Sequence, residues 1–262
     1  MSAGKIIVIL VLMAATFYFA FQDPEITGNI VQESKNLKVA SWDLELYGPE
    51  KTNNVHIIEE IVKVIKGYDV IIIQGIRDPS QTAFENICAK LPAYQCYTST
   101  FRGGSENYQY GVIYKDVIIG FDNLKQAESV KFTNAPLLIK IKKEEYLLTV
   151  YTFEAKNTRV RDELKALEGI VDINGGNTAV IGNMYADCEY YQGEFKDFDK
   201  WNWIISDHED TLTAPQSCAY DRIFLNQDAL AEFASFHIDK TINPEVSGHY
   251  LISFTQKTQE NK

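Results

Sequence analysis

The sequence predicts an α/β domain of two packed mixed β-sheets with helices on their outer faces. Three observations carry this prediction. Apolar residues recur at helical spacing in three well-separated stretches. Around them lie many short runs rich in Val, Ile, Tyr and Phe, the residues that suit a pleated, half-buried surface. The chain has 262 residues, 45% hydrophobic and 12% aromatic, enough for one large domain with a real core.

From Leu37 to Leu46 the chain alternates Leu37, Val39 and Ser41 against Lys38, Ala40 and Trp42, the period of a strand. Val55, Ile58, Ile61, Val62 and Ile65 fall on one helical face, and Gly67 stops that helix. Val70 to Ile73 is a β-branched run typical of a strand buried on both faces. Pro79-Ser80 starts a second helix carrying Ala83, Phe84, Ile87 and Leu91. Short strands follow around Tyr110 to Tyr114, Leu137 to Ile141 and Tyr146 to Tyr151, the last two joined by a turn over Lys142 to Glu145. Val160, Leu164, Leu167 and Val171 mark a third helix, ended by Asn174-Gly175-Gly176. Thr178 to Ile181 reads as a buried strand. A stretch rich in Trp and Asp, Glu189 to Asp210, comes next, with Trp201 and Trp203 as core. The last strands lie near Ala219 to Leu225, Leu230 to Phe236 and Tyr250 to Phe254.

The ends of the chain differ from this domain. Ile6 to Phe21 carries no charge and follows Lys5. Sixteen residues are slightly short of the roughly 20 that span a bilayer and suit the core of a signal peptide. Residues 1–22 are therefore expected to be a signal peptide or a signal anchor, with residues 23–35 as a polar tether. The domain then occupies 36–257, and 258–262 form a polar tail. The formal net charge of −11 argues against a general nucleic-acid coat protein, because affinity for phosphate backbones comes largely from Lys and Arg. Four cysteines, Cys88, Cys96, Cys188 and Cys218, show neither a CxxC pair nor zinc spacing. An even count behind a signal sequence favours disulfides and an extracytoplasmic location, secreted or anchored.

Five segments stand in order along the chain: Leu37 to Leu44, Tyr68 to Asp78, Gly182 to Cys188, Ser217 to Ile223 and Ser247 to Tyr250. Together they resemble the endonuclease/exonuclease/phosphatase superfamily, and within it the deoxyribonuclease I branch, through Ala186-Asp187-Cys188 and Cys218-Ala219-Tyr220-Asp221-Arg222. The resemblance implies a deoxyribonuclease I-like four-layer sandwich. It also implies a chemistry in which carboxylates and amides hold Mg²⁺ and carboxylate-oriented histidines move protons.

Against that pattern the site is depleted. Asp43 stands where the family has Asn, and Gly75 where it has a metal-binding Glu. Tyr108 replaces a Glu that orients a histidine, and Tyr151 replaces that histidine. Asn183 and Tyr185 replace the acid and amide of a Gly-Asp-x-Asn motif, and Gly248 replaces the acid beside His249. Three positions are retained: Arg77 as a phosphate contact, His249 as a catalytic histidine, and Asp221 as the carboxylate that supports the histidine lost at Tyr151. The resemblance also implies a Cys188–Cys218 bridge, and Cys88 and Cys96 are spaced for a second. Arg77-Asp78 reads as a local ion pair, and Asp221 as either a remnant of the site or a partner of Arg222.

These replacements lead to the expectation of a pseudonuclease that acts by binding, with no cofactor and with a protein or nucleic acid as partner. A membrane contact follows if the N-terminal segment is uncleaved. The alternative is an active endonuclease or phosphodiesterase with a rebuilt site, using Mg²⁺ or Mn²⁺ on DNA, to which Asp43 and Asp187 would contribute. Asp207 and Asp210 lie where the family can hold a structural Ca²⁺.

Overall fold

The computed structural model describes residues 36–99, 108–122, 124, 132–192 and 197–258. The N-terminal apolar segment, the tether and residues 259–262 lie outside the described residues. In chain order the strands are β1 (Asn36–Tyr47), β2 (Val70–Arg77), β3 (Gln95–Thr98), β4 (Tyr108–Tyr114), β5 (Ile118–Asp122) and β6 (Leu137–Lys143). They continue with β7 (Tyr146–Thr152), β8 (Thr178–Asn183), β9 (Asn202–Trp203), β10 (Asp221–Leu225), β11 (Phe233–Asp239) and β12 (Leu251–Lys257). The helices are α1 (Pro49–Thr52), α2 (Val55–Ile65), α3 (Thr82–Ala89), α4 (Val160–Glu168) and α5 (Gln227–Ala231).

Two six-stranded sheets result, ordered β11-β12-β1-β2-β4-β3 and β5-β6-β7-β8-β10-β9. The β1/β2 and β7/β8 pairs are parallel, and the other ladders are antiparallel. A parallel neighbour needs a crossover, and α2 and α4 supply the two. Alternation along β1 sends Leu37 and Val39 into the inter-sheet core, where they meet Val70, Ile72, Ile139, Val150, Ile181 and Phe254. It sends Ala40 and Trp42 to the outer face, under Ile58, Ile61 and Ile65 of α2. Helix α4 covers the opposite outer face with Val160, Leu164 and Leu167.

Caps set both early helices. Asn54 accepts from the backbone N–H groups of His56 and Ile57 at the start of α2. Asp78 accepts from Ser80 N (2.9 Å) and Ala83 N (2.7 Å) ahead of α3. Asp78 is therefore a cap, not the ion partner of Arg77 that adjacency suggested, because the orphan amides of the helix start claim its carboxylate.

The expected strand over Leu230 to Phe236 is also displaced. Asn226 caps α5 through Ala229 N, so the chain turns once as helix and pairing starts at Phe233. Strands β3, β5 and β9 have no counterpart in the sequence reading. They are short sheet-edge elements, and their pairing rather than their pattern makes them strands. Trp201 is core as expected, while Trp203 packs against Phe224 and is only partly buried.

Two disulfides are formed, Cys188–Cys218 across a separation of 30 residues and Cys88–Cys96 across eight. Such bonds persist in oxidising compartments, which is compatible with a location outside the cytoplasm. No helix among the described residues is long and apolar enough to cross a membrane.

Candidate functional site

Strand ends from both sheets meet at one end of the sandwich. From the first sheet come Asp43 on β1 and Gln74-Gly75 on β2, which are register neighbours. From the second come Asn183 on β8 and Asp221 on β10, which face each other directly. His249 enters from the segment before β12, held by a bridge to Leu212. Gln74 ties the sheets together here, accepting from Asn183 N (2.9 Å) and donating to the carbonyl of Phe153 (2.8 Å).

The centre is closed. Asp43, Asn183, Asp221 and His249 are each at most 5% exposed. His249 Nδ1 lies 2.7 Å from Asp221 Oδ2, and its Nε2 lies 3.9 Å from Asp43 Oδ2. Burial by itself disfavours the imidazolium, but the carboxylates of Asp221, Asp43 and Glu45 outweigh it and raise the His249 pKa to about 9. Burial raises Asp221 in turn, partly countered by His249. At neutral pH His249 is therefore a cation. It is a proton donor and counter-ion, not a base ready to take a proton.

The same structure corrects the role assigned to Asp221. The carboxylate supports His249 and not the Tyr151 position, because β10 lies beside β8 and delivers Asp221 to the loop carrying His249. Tyr151 is not in the site. It packs among Leu138, Leu164 and Val180 on the outer face of the second sheet. The residue that β7 delivers toward the centre is Glu154, just past the strand end and flanked by the Phe153 and Ala155 amides that bond to β8. Glu154 is 7% exposed, and its Oε2 has no hydrogen-bond partner among the described residues. Burial, then the charge of Asp43, raise its pKa well above the usual carboxylate range, while the Arg77 guanidinium pulls it down. Arg77, at the end of β2, thus stands near enough for its charge to act on Glu154.

Sequence reasoning missed Glu154 because it placed the site residue within the apolar run. An acid interrupting Tyr-Thr-Phe-Glu-Ala was the available signal. Glu45 was missed as well. The chain kinks at Glu45 and Leu46 (φ 43° and 60°), and the Glu45 carboxylate reaches Gly248 N at 3.2 Å. An acid from β1 therefore stands next to the position where the family's acid is missing.

A divalent ion does not fit these residues. Asp43 Oδ1 already accepts from Glu45 N and Oδ2 from the Asn183 side-chain amide, both at 2.8 Å. The Asn183 carbonyl oxygen is turned to Tyr185 N. Gly75 has φ +74°, and a Cβ there would lie 2.6 Å from Glu45 N and in contact with the Asp43 carboxylate. Hard cations need several oxygens free to coordinate, whereas both Asp43 oxygens and Asn183 Oδ1 are engaged by N–H donors and Gly75 offers no oxygen from a side chain.

The remaining positions close the pocket. Tyr108 accepts from Gly75 N through its hydroxyl. Tyr185 sets its ring edge-on to His249, 6.5 Å between centroids, and packs with Tyr190 and Tyr220. Asp187 is turned to Ala219 N (2.7 Å) and does not join Asp43. It does group with Cys188 and Cys218, but those sulfurs are spent in their disulfide. Asp207 pairs through one oxygen with the buried Arg222 at 2.6 Å, and Asp210 accepts from Leu212 N at 3.1 Å, so Arg222 is paired with Asp207 rather than with Asp221.

No family model matches the chain. It is 22% identical over 234 residues to deoxyribonuclease-1 of Gallus gallus, covering 79% of this chain and 83% of that protein. It is 23% identical over 218 residues to deoxyribonuclease gamma of Mus musculus, covering 72% and 70%. Similar solved structures include a humanized D. rerio TDP2 (TM-score 0.62, 12% identity, 85% of this chain and 99% of that one). The endonuclease domain of the TRAS1 retrotransposon is another (TM-score 0.60, 11% identity, 86% and 100%).

Proposed function

We propose that this chain, which has the deoxyribonuclease I-like fold of the endonuclease/exonuclease/phosphatase superfamily, is a pseudonuclease that acts by binding. One observation carries the reading: both oxygens of Asp43 are engaged by protein N–H donors beside Gly75, where no metal ligand exists. Without the ion, the charge on a phosphate in the transition state goes uncompensated, a loss of several kcal/mol. Without a free base, proton transfer loses about 10²–10⁴-fold more. These losses do not add, since such groups work as a unit, but any one removes most of the rate. The N-terminal apolar segment would export or anchor the domain, and its partner would be a protein or nucleic acid met outside the cytoplasm.

The second reading, a metal-dependent nuclease with a rebuilt centre, draws on the intact Asp221–His249 pair and on Glu45 beside Gly248. A plasmid-nicking assay with Mg²⁺, Mn²⁺ and Ca²⁺ separates the two. The pseudonuclease shows no nicking above background in any of them. Mg²⁺-dependent nicking that His249→Ala abolishes would establish the rebuilt centre instead.

A further inference from the structure

Strand β11 is an outer edge of the first sheet. Strand β12 pairs with one side of it, and no strand among the described residues pairs with the other. An edge presents a row of unpaired backbone N–H and C=O groups, which proteins ordinarily blunt by shortness, charge or proline. The edges β3 and β9 are blunted by length, with four and two residues. The edge β5 has five residues and carries Gly120 at its centre, which weakens it as a template. Strand β11 has seven residues, Phe-Ala-Ser-Phe-His-Ile-Asp, with no Lys, Arg or Pro. Its one irregularity is a bulge between Phe233 and Ser235, which leaves Ser235 to Asp239 in regular register.

The side chains and charges of this edge are self-complementary. Ala234, Ser235, Phe236 and His237 are exposed in succession, so this stretch is covered on neither face. Phe236, 37% exposed, shares a side with its ladder partner Phe254 and with Ile238, both members of the inter-sheet core. It therefore continues that core past the sheet edge into solvent. Glu232 precedes the strand and Lys240 follows it, and neither has an ion pair among the described residues. Asp239, the acid beside Lys240, already accepts from the N–H (3.0 Å) and hydroxyl (2.6 Å) of Thr241. An antiparallel neighbour of the same sequence brings the Glu232 end of each strand to the Lys240 end of the other.

We propose that two copies of this chain pair antiparallel through β11, joining their six-stranded first sheets across a two-fold axis. Side chains directly opposite each other share a face, so the axis passes through a residue. With His237 on the axis, the whole regular stretch is paired. Phe236 then stands opposite Ile238 of the second copy, and Ser235 opposite Asp239, each twice. The apolar pairs extend the core, the edge amides gain partners, and Glu232 and Lys240 compensate each other at both ends. This match of the strand to its own reverse selects a second copy over an unrelated strand.

The test uses the full chain in nonionic detergent micelles, followed by sedimentation velocity and by hydrogen exchange across a concentration series. A dimer with a Kd of about 100 µM or tighter is expected, with amide protection that rises with concentration in β11. Phe236→Lys places a charge on the edge and should keep the native melting temperature while weakening the dimer about tenfold or more. Lys240→Glu should weaken it about threefold or more, and the exchange Glu232→Lys/Lys240→Glu should restore it. The proposal is overturned if the chain stays monomeric at about 100 µM or if the concentration-dependent protection falls outside β11. It is also overturned if Phe236→Lys and Lys240→Glu both leave association unchanged, which would assign it to another segment such as the N-terminal apolar run. A charge exchange that fails to restore the dimer overturns the antiparallel self-pairing. None of these outcomes depends on nicking activity.

Discussion

Asp221 holds the Nδ1 of His249 at 2.7 Å, and both side chains are almost wholly buried. The pair is linked to stability through its proton. The folded His249 pKa, about 9, lies above its ordinary value of 6.5. The stabilisation is therefore fully present below pH 6.5 and is lost as pH rises through about 9. Melting temperature is expected to fall across this window by an amount corresponding to a few kcal/mol at most. In His249→Gln this component should vanish. An unchanged slope in the variant would show that His249 is not the titrating group.

Restoring the family's groups should fail at Gly75 and depend on position at β7. Gly75→Glu forces a side chain onto φ +74° and against Asp43 and Glu45 N, with an expected cost of about 1–3 kcal/mol or more. Tyr151→His would place an imidazole on the outer face of the second sheet, away from the centre. Glu154→His is the substitution that places it by Asp43 and Arg77. Denaturant unfolding should register the first. Chemical shift perturbation of His249 should respond to Glu154→His and not to Tyr151→His.

The Cys188–Cys218 bridge closes the longer loop, 30 residues against eight for Cys88–Cys96. In the chain-entropy picture its removal costs about 3–4 kcal/mol, and it also holds the segment that carries Tyr185 and Tyr190. The Cys188→Ser/Cys218→Ser pair should therefore destabilise more than Cys88→Ser/Cys96→Ser in urea titrations. The reverse order would refute this.

Arg222 is fully buried, while its partner Asp207 is half exposed. The guanidinium also donates to the carbonyls of Ile205 and Ala186. Arg222→Ala strips all three acceptors and is expected to cost about 3–5 kcal/mol. Asp207→Asn keeps two of the donor contacts and should cost less, because water reaches the carboxylate. Equal losses in thermal unfolding would show that the carboxylate carries the whole contribution.

The sequence by itself determined the architecture and the longer elements, but not the short edge strands β3, β5 and β9. The period of two from Leu37 to Trp42, the helical stripe of Val55 to Ile65 and the β-branched run Val70 to Ile73 are local patterns, and local sterics and burial suffice to read them. Gly75 and Asn183 were legible as missing acids for the same reason, since each sits at a strand end inside a recognisable motif. Only the tertiary structure decided who pairs with whom. Asp221 goes to His249, Glu154 rather than Tyr151 faces the centre, and Asp78 caps α3 instead of meeting Arg77. The first joins residues 28 positions apart, the second depends on strand register, and the third on the amides left free at the start of α3. A single step of register exchanges the two faces of a sheet, and it is set by the packing of the whole sandwich rather than by the residues flanking either partner.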